Sequence, residues 1–502
     1  MPDRLPVYGR PPITYLSAAR KNYNALNELD YVPAIKKQYA DLWAQRGSIE
    51  ALIRHHLGLG NQDACTVLDV RLWKQGAFNV CVLVEVTSGN STTKLIFRCP
   101  KPHRLVGIVD EKLSSEVGSY VWMQEKCSDV RIPHLFGFGF SDGRHFTHVT
   151  HRPFYIRILH SMWRSVYSLF RLPILSQYVH NSTVPTIRTS YMLLEFIGSE
   201  RAQMLSNTWE KHREDPERRQ RLFHGMARIM LSLARIPQSR IGSFQFNNDG
   251  TVALANRYLS SSLAILENDG APRTIQRNDL HCCTDSFVSD LLTFHDGRFL
   301  AQPNATFSEN DCRGQMAVMA LLRAMSHHYI KREYRNGPYV LALTDVNPSN
   351  IFVDDDWNVE YLIDLEWICA LPPEMLEVPY WLTGCSIEEI QDEQYDAYDK
   401  VRQEFMGILE KETQKATIEH DIPVSRIMED MWDTKGVWFW RCLTSVDAMN
   451  FLLEDHLCPT GCLSSEVERA VSEIWCENVG DVVKKKLADK AKYDELLKSR
   501  FA

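Results

Sequence analysis

No uninterrupted apolar run in this sequence reaches the ~18 residues that a membrane-crossing helix needs. The opening Met1-Pro2-Asp3-Arg4-Leu5-Pro6 has neither a continuous apolar stretch nor a small-residue cleavage site, so no signal peptide is expected. Positive charge is scarce: 56 Lys and Arg stand against 64 Asp and Glu, a formal net charge of −8 that provides no global field for nucleic acid. Internal repeats and low-complexity segments are lacking, and so is a disulfide framework, because the 13 cysteines are odd in number and scattered over 502 residues. These absences point to a reducing, cytoplasmic compartment with no nucleic-acid partner and no stable membrane insertion. Without a secretory route, the sequons at Asn90, Asn181 and Asn304 read as chance.

What is present is an ordinary globular composition, 44% hydrophobic and 24% charged, long enough for two to four structural units. Residues 15–57 carry apolar positions at helical spacing (Tyr39, Leu42, Trp43; Ile49, Leu52, Ile53). Residues 66–72, 78–86 and 94–98 are short, rich in β-branched side chains and separated by turn formers, which predicts three antiparallel strands. A helix is expected over 111–126, with Glu116, Tyr120 and Met123 along one side, then strands at 133–138 and 189–196. Together these make a small α+β unit.

Between the last two strands lies an insertion, about 145–188, in which Arg152, Arg157, His160, Arg164 and Arg171 alternate with Phe154, Tyr155, Ile158, Trp163, Tyr167 and Phe170. It is expected to form a helix that packs on its own domain and shows its arginines to water; the alternative for such a composition is a membrane surface or a phosphate-bearing partner. Beyond Gly198 the pattern is helical, over 217–234, 314–331 and 388–415, interrupted by a hairpin turning at Asn248-Asp249-Gly250.

The stretch from Leu341 to Trp367 carries chemistry. Apolar residues 339–343 lead into the polar loop Thr344-Asp345-Val346-Asn347-Pro348-Ser349-Asn350, followed by Ile351-Phe352-Val353, a turn at 354–358, and a return strand ending in Ile363-Asp364-Leu365-Glu366-Trp367. A hairpin of this shape brings Asn350, at the entry of one strand, close to Asp364, at the exit of the other. Two hard oxygen ligands suit Mg²⁺, which completes its shell with phosphate and water. Asp345, on the loop into the hairpin, is placed to take a proton from a hydroxyl nucleophile. Asp, four residues, Asn, then Asp after a second strand is the phosphoryl-transfer arrangement of kinases.

The segments Val340–Asp354 and Ile363–Trp367 resemble the signature of the aminoglycoside phosphotransferase-like family, particularly its fungal phosphotransferase-domain branch. Other pieces resemble it in order: Gly76-Ala77-Phe78-Asn79 the nucleotide loop, Phe97-Arg98-Cys99-Pro100 the strand with the phosphate-contacting cation, Ser115-Glu116-Val117 the N-lobe helix, Met192 to Ile197 the hinge. Ile241–Phe244, Asn256-Arg257 and Tyr380–Thr383 are similar to the fungal branch. The resemblance implies a two-lobed protein-kinase-like fold of α+β class, with a helical extension (1–62), an N-lobe built on a small antiparallel sheet (63–198) and a mainly helical C-lobe (199–502). It implies ATP as co-substrate and Mg²⁺ as cofactor, with a hydroxyl of a small molecule as acceptor. Asp345 would be the catalytic carboxylate; Asn350 and Asp364 would hold Mg²⁺; Gly76 and Asn79 would belong to the nucleotide loop, Arg98 would be the phosphate-contacting cation and Glu116 would pair with it; the backbone at Glu195, Phe196 and Ile197 would meet the adenine.

The chain departs from the family pattern in three places. Leu343 stands where a loop histidine is common, Asn347 where a second histidine often lies, and on the third strand the cation is Arg98, or Lys94 in a shifted register, rather than a lysine at the usual place. The loop at Gly76 has one glycine instead of several. A catalytically silent pseudokinase that binds nucleotide or a protein is therefore the alternative, and a protein kinase is disfavoured because no His-Arg-Asp, Asp-Phe-Gly and Ala-Pro-Glu set is present. His456, Cys458, Cys462 and Cys476 lack standard zinc spacing, and Trp357, Trp367, Tyr380, Trp381, Trp432, Trp438 and Trp440 read as core rather than as a cage for a quaternary ammonium.

Overall fold

The computed structural model describes residues 4–182, 187–415, 422–458 and 464–502. An antiparallel sheet of eight strands forms around the long hairpin Asn79–Ser88 and Ser91–Pro100, whose ten-residue ladder turns at Gly89. Tyr191–Glu195 joins the free side of Ser91–Pro100 and is followed outward by Leu135–Gly139, His145–His148 and Tyr178–His180. Ala64–Val67 and the two-residue Lys74–Gln75 pair with Asn79–Ser88. Five strands were expected here; the additional ones are very short stretches that carry too few residues for an alternation pattern to register.

Strand parity decides what each face touches. Val80, Val82, Val84, Phe97, Cys99, Tyr191 and Leu193 face one way, onto Ile35 and Leu42 of helix Ala25–Ala44 and Ile49, Leu52 and Ile53 of helix Arg46–Leu57. Met192, Leu194 and Ile96 face the other way, onto the helix Val109–Lys126, with Leu113, Val117, Tyr120 and Val121 in the same core. Arg98 shares this second face: it pairs across the ladder with Cys81 and Met192. Lys94 lies four residues earlier, roughly 13 Å along the strand, exposed and opposite Glu85.

Helix Val109–Lys126 is buried along most of its length because strand Gly242–Phe246 closes over its far side. The approach is tight at Gly118, where a Cβ would stand 2.7 Å from Cβ of Phe244. Ser114 Oγ both donates to the Phe246 carbonyl, at 3.1 Å, and accepts from its N–H, at 3.0 Å. Gly242–Phe246 belongs to a five-stranded sheet with Val340–Leu343, Ile368–Leu371, Thr251–Asn256 and Ile174–Leu175. The insertion thus contributes strands to two sheets, which ties residues 145–182 to the chain beyond 198.

Helices dominate the remainder: Pro216–Ala234, Thr284–Ala301, Glu309–Tyr329, Asp392–Lys415 and Gly436–Thr444 surround the hairpin-bearing sheets. Helix Val479–Phe501 returns to the beginning of the described chain, where Tyr493 and Leu497 pack on Ala18 and Ala25. Among the described residues no helix is long and apolar enough to cross a membrane. Of the zinc candidates, His456 stacks on Trp438 at 3.7 Å, whereas Cys462 lies outside the described residues.

The insertion does not follow the expectation of a helix packed on its own domain. Helix Phe154–Leu169 has no buried residue. Its arginines are not all shown to water either, since Arg164 pairs with Glu125 and donates to the Leu175 carbonyl at 3.0 Å.

One carboxyl behind the hairpin sheet is isolated enough to govern stability. Glu374 is fully buried; Oε1 accepts from the Lys331 N–H at 3.1 Å, while Oε2 has no partner among the described residues. Burial raises it from 4.5 to about 7. The folded state therefore favours the neutral acid, so this group's contribution is full below pH 4.5 and is lost as pH rises through 7. Glu374→Gln removes the penalty, on the order of 3 kcal/mol at most. Thermal melting should show the variant above its parent at pH 8 and lose that advantage at pH 4; equal curves at both pH values would contradict the assignment.

Candidate active site

Strand Val340–Leu343 pairs with Ile368–Leu371, and both the N–H and the Oγ1 of Thr344 donate to the Trp367 carbonyl, at 3.3 and 2.8 Å. This fixes where the following loop starts. Asn347 caps the single turn Pro348–Asn350 by accepting from the Ser349 N–H at 2.9 Å, a local bond that Asn favours over helix or strand. Asn347 and Asn350 both donate through Nδ2 to the Asp345 carbonyl, at 3.3 and 2.9 Å. The Asp345 backbone is thereby clamped by two side chains from its own loop.

Ile351–Val353 then pairs with Val359–Leu362 around the turn at Asp354, whose Oδ1 accepts from the N–H groups of Asp356 and Asn358. The turn is anchored by Trp357, buried, at φ +67°, stacked on Trp209 at 5.5 Å. The Ile363 N–H donates to the Asn350 carbonyl at 2.9 Å, and Asp364 follows at φ +63°. A left-handed aspartate is uncommon and persists where its surroundings fix it. Asp345, Asn350 and Asp364 line one small cleft together with Thr344 and Trp367.

Asp364 meets the sheet through charge. Arg98 pairs with Glu116, with Asp364 and, at 3.0 Å, with Glu366. Lys112, one helical turn before Glu116, pairs with Glu116 at 2.9 Å and with Glu366, and it donates to Asn79 Oδ1 at 3.1 Å. Asn79 Nδ2 donates to Glu366 Oε2 at 2.8 Å. Phe78 closes one side by packing edge-on against Trp367 at 5.0 Å, over Leu105, Ile108 and Leu259.

The balance of this cluster is negative. Asp345, Asp364, Glu366 and Glu116 face Arg98 and Lys112, an excess of two negative charges in a largely buried place. Glu366, held by Lys112 and Arg98 against its own burial, stays below the usual carboxylate range. Asp364 is raised to about 6, first by burial and then by Glu366 and Glu116, with Arg98 opposing. Asp345 has no cation beside it among the described residues: burial, then Asp364 and Glu366, raise it to about 7. Asn350 Oδ1 and Asp364 Oδ2 have no protein donor among the described residues, since Asn350 uses Nδ2 on Asp345 and Asp364 uses Oδ1 on Arg98. Two such oxygens at a site with two uncompensated charges fit a hard divalent cation. The carboxylates of Glu116, Asp364 and Glu366 also lie within 4.8 Å of one another, but Arg98 and Lys112 already occupy the first and last.

Asp345 also lines an adjoining cavity of about 200 Å³ that shares Leu343, Thr344 and Val346 with the small cleft. Tyr258, Leu343, Tyr380, Trp381 and Trp440 form its walls, and Glu377 and Arg441, paired with each other, sit at its edge. Asp345 thus lines both this cavity and the cleft that holds Asn350 and Asp364.

Of the residues singled out from the sequence, Asp345, Asn350 and Asp364 converge, and Asn79, Arg98 and Glu116 join them through the charge cluster. Gly76 stays apart on an exposed loop tip, its carbonyl accepting from Lys101 at 2.6 Å. Glu195 ends its strand with its N–H donating to the His134 carbonyl at 2.9 Å and its carboxylate paired with Arg201. The backbone groups of Phe196 and Ile197 beyond it have no hydrogen-bond partner among the described residues. Sequence reasoning assigned no role to Lys112 or Glu366. The spacing of Lys112 four residues before Glu116, and of Glu366 two after Asp364, was the signal available for both.

No family model matches this chain, and no curated protein matches it in sequence. Solved structures similar to it include an ethanolamine kinase of Plasmodium vivax, with a TM-score of 0.37 at 11% identity over 84% of this chain and 86% of that one. A spectinomycin phosphotransferase, APH(9)-Ia, solved with ADP and spectinomycin, has a TM-score of 0.33 at 12% identity over 89% of this chain and 98% of that one.

Proposed function

We propose that this chain is a two-lobed, kinase-like phosphotransferase that moves the terminal phosphoryl group of ATP to a hydroxyl of a small molecule. The observation that carries the reading is the position of Asp345: its backbone clamped by Asn347 and Asn350, in one cleft with the cation-suited pair Asn350 and Asp364, and lining an adjoining small cavity. Phosphoryl transfer needs positioning and charge neutralisation more than covalent chemistry. Mg²⁺, when bound by Asn350 and Asp364, would neutralise phosphate charge. Asp345 does the protein's own work at the acceptor: its carboxylate orients the hydroxyl and takes its proton. Before any cation binds, burial, then Asp364 and Glu366, raise this carboxyl to about 7. The cavity, at about 200 Å³, suits an acceptor smaller than the ligands of typical drug-sized pockets.

Arg98 and Lys112 supply the fixed positive charge next to Asp364, and the unpaired backbone of Phe196 and Ile197 is available to an adenine edge. One observation favours the pseudokinase reading instead: Arg98 already holds Asp364 directly. Melting in the presence of nucleotide separates the two. Millimolar ATP with Mg²⁺ should raise the melting temperature, ATP with a chelator should do so far less, and Asp364→Ala should abolish the Mg²⁺-dependent part. No shift with any nucleotide overturns the active reading and leaves the silent one only as a protein-binding module; a shift indifferent to Mg²⁺ and to Asp364 supports a silent nucleotide binder.

A further inference from the structure

We propose that the Phe154–Leu169 helix is an interfacial anchor that lays its apolar face on an anionic lipid bilayer. A surface helix of a globular protein ordinarily turns its apolar stripe to the core and its polar face to water. Here the inward side is mixed, with half-buried Ile156 and Tyr167 beside two polar residues, and a second apolar stripe faces out. His160 and Arg164, at i and i+4, face inward: His160 shares a 2.7 Å hydrogen bond with the Ser176 carbonyl, and Arg164 donates to the Leu175 carbonyl and pairs with Glu125. Phe154, Ile158, Met162 and Leu169 fall on the opposite side of the helical wheel, with Tyr155, Leu159 and Val166 beside them. Ile158 is 57% exposed, Met162 62% and Leu169 78%. Phe170 and Leu172 extend the same exposed surface past the helix end.

The orientation is held by the fold rather than by the helix alone. Ile174–Leu175 pairs with Thr251 and Val252, and Tyr178–His180 pairs with His145–His148, so both flanks of the helix are strands in separate sheets. At 16 residues and 1.5 Å rise the helix is ~24 Å long, short of a bilayer core, and its place is in the plane of the interface.

Charge selects the occupant. From Gly143 to Leu194 the chain contains six Arg and no Asp or Glu, within a protein of net charge −8. Arg157, beside Arg164 on the helical wheel, and Arg171, just past the helix end, are both exposed. Acidic groups do approach this region from neighbouring segments: Glu125 is paired with Arg164, Asp142 with Arg144, and Asp249, beside His160, Trp163 and Tyr167, accepts from the N–H and Oγ1 of Thr251. An anionic bilayer offers apolar depth beneath a negative surface to one convex helix, and Trp163 and Tyr155 suit the boundary between the two. This inference stands apart from the reaction proposed above and fails or holds without it.

The test uses the full chain with sedimenting vesicles of phosphatidylcholine, alone or mixed with phosphatidylserine. The native chain should bind the mixed vesicles and release them as salt rises. Ile158→Asp with Met162→Asp, both at exposed positions, should abolish binding while leaving the melting temperature unchanged. Arg157→Ser with Arg171→Ser should weaken binding to mixed vesicles by about fivefold per arginine and barely affect phosphatidylcholine alone. Failure of the native chain to bind mixed vesicles overturns the proposal, as does binding equal to native by the double aspartate variant. Light scattering adds a third outcome against it: a native dimer that the aspartate variant dissociates would mean that a second copy covers this face.

Discussion

Asp345→Asn should lower turnover by roughly 10³-fold while leaving Mg²⁺-dependent ATP stabilisation close to native. The substitution keeps the shape of the side chain and removes its basicity, and the clamp on its backbone comes from Asn347 and Asn350, which are untouched. A second effect runs the opposite way. The folded protein raises this carboxyl to about 7 from 3.8, so ionisation opposes folding as pH climbs through that interval. Without Mg²⁺ at pH 8 the asparagine variant should therefore melt above its parent, and at pH 3 the two should coincide. A group that stabilises by its absence and catalyses by its presence is what the trade between stability and activity predicts for a reacting residue. ADP release over a panel of hydroxyl-bearing metabolites measures the first effect and melting at two pH values the second. Turnover near the native rate would remove Asp345 from the chemistry; loss of ATP stabilisation together with turnover would make it part of the nucleotide site.

Arg98→Ala should be among the most destabilising single changes in the chain. It leaves Glu116, Asp364 and Glu366 around Lys112 alone, in a place where Arg98 and Glu116 are almost completely buried. Removing one partner of a buried ion cluster costs about 3–5 kcal/mol, because the remaining charges keep their desolvation penalty and lose the compensation. Arg98→Lys should fall between native and alanine, since lysine keeps the charge but lacks the planar guanidinium whose two terminal nitrogens reach Glu116 on one side and Asp364 and Glu366 on the other. Adding Asp364→Asn to Arg98→Ala should restore part of the stability without restoring nucleotide binding. Chemical denaturation of the single and double variants yields their coupling. Additive effects would mean that Arg98 and Asp364 do not share the contact on which the site is built.

Much of the candidate site was legible because it is local. Asp345, Asn350 and Asp364 lie within one strand-loop-hairpin segment, and the turn residues Asn347, Pro348 and Asp354 mark where that segment bends. The strand register was legible less directly. Both Arg98 and Lys94 were open as the cation, since residues of the same parity share a face; only the ladder against Met192 and Cys81 shows which of them lies under the Val109–Lys126 helix. Lys112 and Glu366 carried helical and strand spacing signals, but spacing alone does not say that the two side chains meet.

The insertion marks the clearest division. Helical periodicity with an apolar face was present in the sequence of residues 154–169, and so was the run free of acidic residues. Periodicity defines a face but not the direction in which it points. That direction came from strands at 145–148, 174–175 and 178–180, too short to register as a pattern, which turn His160 and Arg164 inward and leave Ile158 and Met162 outside. By itself, then, the sequence determined the absence of long apolar runs and of surplus positive charge, the α+β alternation, and the Asp-Asn-Asp spacing, all of which depend on neighbours along the chain. The tertiary structure alone decided the charge cluster, in which Arg98 and Asp364 meet across 266 residues, and the outward face of the insertion helix. Both depend on which surfaces the remaining chain leaves free to bury, a quantity that no local pattern encodes.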